Sequence, residues 1–182
     1  MRRDNEIDWP ILRTGLEPVL AEYQKRGGIL ADRDRHVVEQ ALREKDATGL
    51  RAALSASVLL AVWLNPESRV KVARGKAVAD LVVDRPGVFL VEIANDAGAK
   101  SEMRVRVLPG AEMPPLFAVE FVRGPKVGDR LDGNGMQFLL VTVRCREVGR
   151  REAAFQIDAG QGTQDLGFRS EVPVLFRIAR GE

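Results

Sequence analysis

The residues of this chain whose types lend themselves to catalysis are few and scattered. One histidine, His36, and one cysteine, Cys145, stand among 182 residues. Triad hydrolases use a histidine as base, and zinc sites draw on several His or Cys side chains. A lone cysteine leaves no intramolecular disulfide and no Cys-rich metal site. Carboxylates are plentiful, at 26 Asp and Glu, but spacing alone places no pair of them across a cleft. His36 falls early in a helical stretch, beside its apolar stripe, and reads as a surface or packing residue. Cys145 falls on the inward parity of a strand, where a thiol behaves as a small hydrophobe. The sequence therefore assigns no catalytic residue, no metal ligand and no cofactor.

Two loops and one charge pattern remain as candidates for binding. Residues 128–135, GDRLDGNG, carry Asp129, Asp132 and Asn134. Their spacing departs from a calcium loop, and Gln137 stands near where an acidic ligand belongs. Asp, Asn and Gly also make turns, and that is the reading taken. Residues 160–165, GQGTQD, open like a phosphate-binding loop but lack a third glycine and a following helix. As a polar loop they offer Gln161, Thr163, Gln164 and Asp165 as a docking surface. Arg69, Lys71, Arg74, Arg104, Arg106, Arg144, Arg146, Arg150 and Arg151 form a ladder along successive strands. Single-stranded nucleic-acid binders interleave such charges with aromatics. Here the aromatics take the opposite parity, and no nucleic-acid partner is predicted.

The elements that hold these residues fall into two groups, predicted to divide near residue 56. In the first, Leu16, Val19, Leu20 and Tyr23 line one helix face. Pro18 places that helix's start close to Thr14 or Gly15, and Gly27-Gly28 ends it. A second helix spans about 32–45 with Asp32 or Asp34 as N-cap, and a shorter one spans 46–54. After residue 56 the period becomes two, as in Val70 and Val72, Phe89 to Ile93, Val105 and Val107, Phe117 to Phe121, Val141 to Cys145, and 172–178. Turn residues separate the runs, and 123–137 reads as a surface loop. The predicted fold is α+β: a helical segment of two or three helices, 1–56, packed on an antiparallel Ig-like β-sandwich of seven or eight strands, 57–182. Residues 58–64, VLLAVWL, are apolar on both parities, as in a strand covered on both faces. One face is assigned to the sandwich core and the other to the helices, with Trp63 at the seam.

Composition agrees with a globular chain, at 45% hydrophobic and 30% charged residues. Charges of 28 basic and 26 acidic residues nearly balance at +2. No run reaches the roughly 20 apolar residues of a membrane span, so no membrane partner is predicted. The start, MRRDNEIDWP, has no apolar leader core.

Three segments resemble one family: LNPESRVKVARG at 64–75, VFLVEIANDAG at 88–98 and DAGQGTQDLGFRSEVPVLF at 158–176. A GIL-x-D-x-D start at 28–34 is similar too. They resemble the N-terminal, non-catalytic region of secreted bacterial CehA/McbA-type metallohydrolases, whose catalytic part is polymerase-and-histidinol-phosphatase-like. The resemblance implies an exported or periplasmic setting and carries over no catalytic residue, because the family's metal ligands belong to a later domain. The function it implies is a non-catalytic accessory domain docking to a metallohydrolase domain or protein partner. The alternative is a carbohydrate- or peptide-binding module resting on Trp9, Trp63, Tyr23 and the 160–165 loop.

Overall fold

The computed structural model describes residues 7–108, 115–160 and 168–182. Three helices come first: α1 (Trp9–Lys25), α2 (Asp32–Glu44) and α3 (Ala47–Leu54). Helix α1 starts five or six residues before the Thr14 or Gly15 that Pro18 predicts. Asp8 accepts a hydrogen bond from the Ile11 N–H at 3.0 Å, and Pro10 sits in the first turn, where its missing donor costs nothing. Pro18 lies inside the helix. An interior proline costs about 3 kcal/mol or more, whereas burying one leucine yields ~1.5–3 kcal/mol. The early start buries Leu12 below Leu16, Val19 and Tyr23 and gains the Asp8 cap, which together offset the proline. The end is a Schellman motif: Gly28 N–H donates to Tyr23 O, Gly27 N–H to Gln24 O, and Gly27 takes φ +91.

Helix α2 is capped by Ala31 without a side-chain bond. Asp32 and Asp34 instead occupy its first turn, where a carboxylate suits the positive end of the helix dipole. Lys45 closes it in the left-handed conformation, and Asp46 then caps α3 by accepting from Gly49 N–H. A single 3-10 turn at Ser55–Ser57 leads directly into the first strand.

Nine strands follow among the described residues: β1 (Val58–Leu64), β2 (Val70–Arg74), β3 (Asp80–Val82), β4 (Gly87–Asn95), β5 (Arg104–Val107), β6 (Phe117–Phe121), β7 (Met136–Cys145), β8 (Gly149–Asp158) and β9 (Arg169–Ala179). They form a five-stranded sheet, β2-β1-β4-β7-β6, and a four-stranded sheet, β3-β9-β8-β5. Both sheets are mixed rather than antiparallel, because β1 runs parallel to β4 and β3 parallel to β9. Between β2 and β4 the chain crosses to the other sheet to lay down β3, then re-enters beside β1 in the same direction. Alternation reports which face is buried, not which way a strand runs. The strand beyond the predicted eight is β3, three residues long and too short to show a period.

Two apolar clusters organise the layers. Between the sheets, Phe176 meets Phe89, Phe117 and Phe155 with ring centroids 6.4, 5.5 and 6.0 Å away. On the other face of the first sheet, the stripes of α1, α2 and α3 pack on Val58, Leu90, Val122, Met136, Phe138 and Leu140. The helices, the first sheet and the second sheet thus form three successive layers.

Candidate docking site

The residues singled out for chemistry are mostly occupied by structure. Among the described residues, no three His, Cys, Asp or Glu side chains gather to hold a metal ion. His36 is exposed on α2, with Nδ1 3.2 Å from Asp32 O. Cys145 is buried at the end of β7.

In GDRLDGNG the oxygens build the loop itself. Asp132 accepts from the Asn134 N–H at 2.8 Å, and Gly133 takes φ +86. Asp129 accepts from Arg123 Nε at 2.7 Å. That bond and the carboxylate's charge raise the Arg123 pKa further above its ordinary value. Asn134 is 4% exposed. Its side-chain amide accepts from Asp8 N–H at 2.8 Å and donates to Asp8 O at 3.0 Å. No sequence pattern links these two positions, so this clamp escaped the sequence reading.

Gln161, Thr163, Gln164 and Asp165 lie outside the described residues. On either side of them β8 and β9 pair antiparallel, Ala159 N–H donates to Phe168 O at 3.0 Å, and Asp158 pairs with Arg169 at 3.1 Å. Trp63 lies on the helix-facing side of the first sheet, opposite Ala94, outside the apolar cluster beneath the helices. Its indole N–H donates to Asp96 at 2.7 Å, and Lys71 Nζ stands 5.3 Å from its ring centroid. Of the other aromatics, Tyr23 is buried and Trp9 is half-buried against the helix cluster.

The arginine ladder is dispersed over separate elements. Arg74 on β2 turns back to the carbonyls of Leu59, Gly75 and Ala77, and its burial lowers its pKa. Arg106, on β5 of the other sheet, donates to Gln156, and Arg151 pairs with Glu147.

What the structure does assemble is a groove of about 1470 Å³ along α1. Ile11, Gly15, Pro18 and Ala21 recur at helical spacing on a second line of α1, beside the buried stripe. Ile11 is 45% exposed. The facing wall is the loop after β6, with Pro125 and Val127, turned by Gly124 N–H donating to Val127 O at 2.9 Å. Small residues at positions 15, 18 and 21 keep the helix side shallow. Lys25, Arg123 and Lys126 stand among its charged residues, as do Glu17, Glu22 and Asp132. The sequence signal was present in the i, i+4, i+7, i+10 recurrence, but glycine and proline there read as helix breakers rather than as a surface. No family model matches the chain, and no curated protein matches it significantly.

Proposed function

We propose that this chain is a non-catalytic interaction domain that docks a protein partner in the α1 groove. The observation that carries the reading is the second apolar line of α1, left open beside the stripe that the sheet buries. Apolar surface ringed by charges is the usual form of a protein-docking site. The resemblance of 64–75, 88–98 and 158–176 favours a metallohydrolase domain as that partner and an immunoglobulin-like ancestry for the paired sheets. Glycan binding is the weaker reading, because Tyr23 is buried and the Trp63 indole N–H is already bonded to Asp96, which leaves little for a sugar platform.

The test is co-elution of the full chain with the metallohydrolase domain encoded with or beside it. Ile11→Glu and Ala21→Glu, both at exposed positions, are expected to abolish co-elution while leaving the melting temperature unchanged. Absence of a complex at micromolar concentrations, or a complex indifferent to both substitutions, overturns the proposal.

A further inference from the structure

Helix α1 has a second open flank, on the side away from Ile11 and Pro18. Leu20 of α1 and Leu42 of α2 are half-buried against the helix cluster. With Leu30 they floor a groove of about 530 Å³ between the two helices. Glu17 and Ala21 stand on the crest that divides it from the first groove.

The 26–31 loop, which joins α1 to α2, holds Ile29 out in water. At 83% exposed, Ile29 is the most exposed large apolar side chain among the described residues. Its neighbours explain why it cannot fold inward. Gly28 N–H donates to Tyr23 O at 2.9 Å, and Gly28 lies so close to the Tyr23 ring that a Cβ there would collide with it. On the other side Leu30 is buried. Held between two fixed residues, Ile29 projects as a knob beside the groove that Leu30 lines. A side chain already fixed in place loses little freedom when it is covered.

The charges around the groove are of both signs. Arg13 and Glu17 of α1 line it, as do Glu39 and Arg43 of α2. Each pair stands at i, i+4, where opposite charges on one helix often pair, yet none of the four forms an ion pair among the described residues. On both helices the glutamate is nearer the 26–31 loop and the arginine further from it. A partner of a single sign would face two like charges whichever sign it carried. A second copy of the chain, turned end for end about a two-fold axis, sets α1 against α1 and α2 against α2. Each glutamate then meets an arginine, and each Ile29 falls on the far end of the other groove, beside Leu42. Such reciprocal contact is the form of an isologous interface.

We propose that the occupant of this groove is a second copy of the chain. In the two-fold dimer, Ile29 of each copy fills the groove between α1 and α2 of the other. Across the axis, Glu39 lies beside Arg43 and Glu17 beside Arg13. The contact is two helices and a loop from each copy, toward the small end of specific interfaces, so the dimer exchanges with monomer.

The test is sedimentation of the full chain from micromolar to millimolar concentration, where a monomer–dimer equilibrium is expected. Ile29→Asp is expected to abolish the dimer without lowering the melting temperature, because the side chain already lies in water. Glu39→Arg sets arginine against Arg43 twice and is expected to weaken the dimer about fivefold. Combining Glu39→Arg with Arg43→Glu restores opposite signs and is expected to recover most of the affinity. A chain that stays monomeric at millimolar concentration overturns the proposal and leaves the groove to another occupant. A dimer indifferent to Ile29→Asp also overturns it, as does a double variant no tighter than Glu39→Arg alone. Ile29 does not line the first groove, so co-elution tested through Ile11 is read separately from dimer formation.

Discussion

Asn134 holds both backbone groups of Asp8, accepting from its N–H at 2.8 Å and donating to its C=O at 3.0 Å. The side-chain amide acts as one more residue of backbone, tying the loop before β7 to the first residues of α1. Asp8 in turn caps the helix through its own carboxylate, so one asparagine positions the cap. Because Asn134 is buried, Asn134→Ala removes two bonds and strands two backbone groups. The expected loss is about 2–4 kcal/mol in urea unfolding. Asn134→Asp keeps the acceptor but loses the donor, and is expected to fall between the native chain and Asn134→Ala.

Asp8→Ala separates the cap from the clamp. The backbone of Asp8 is still held by Asn134, so only the bond to Ile11 is lost. A loss of about 1 kcal/mol is expected. A loss as large as that of Asn134→Ala would show that the carboxylate, not the amide clamp, secures the start of α1.

Gly75 stands where β2 turns away from β1, and its N–H donates to Leu59 O at 2.7 Å. A Cβ there would lie 2.1 Å from the Val58 carbonyl oxygen. That neighbour is backbone and cannot rotate away. Gly75→Ala is therefore expected to lower stability by about 1–3 kcal/mol through overpacking, read as a fall in melting temperature. Gly15→Ala, on the open side of α1 with nothing near its missing Cβ, is expected to be neutral or stabilising by up to about 1 kcal/mol.

These sites also show how far the sequence could be read. Helical stripes at Leu16 to Tyr23 and at Val38 and Ala41, and strand alternation at Phe89 to Ile93, depend on local periodicity and were legible. The start of α1 was not, because Pro18 argues locally against a long helix while the burial of Leu12 is decided by the sheet. Strand direction was hidden for the same reason: β1 beside β4 follows from a crossover between sheets, and no alternation records it. In the binding surfaces, Asp, Gly and Asn marked 128–135 as a turn, but the burial of Asn134 depends on a partner 126 positions away. The α1 groove appears only once the 123–127 loop stands beside Ile11 and Ala21.

The last prediction concerns the helix layer. The helices cover Leu90, Met136, Phe138 and Leu140 with residues such as Leu12, Leu16, Leu50 and Leu54. Arg51 of α3 also reaches across to Glu92 of β4 at 2.9 Å, with both side chains largely buried. Removing residues 1–45 would take away α1 and α2 and open one face of the central strands β4 and β7 to water. Exposed apolar patches of this kind drive association. A fragment of residues 57–182, which also lacks α3, is expected to aggregate, or to melt well below the full chain. In the intact protein, Leu50→Ala tests the same interface more gently. Leu50 is fully buried, and its truncation is expected to cost about 2–5 kcal/mol. The loss should appear in one cooperative transition if helices and sheets unfold together. Two separated transitions, or a soluble 57–182 fragment with an unchanged melting temperature, would instead make the helices an independent unit and the apolar face of β4 and β7 stable without them.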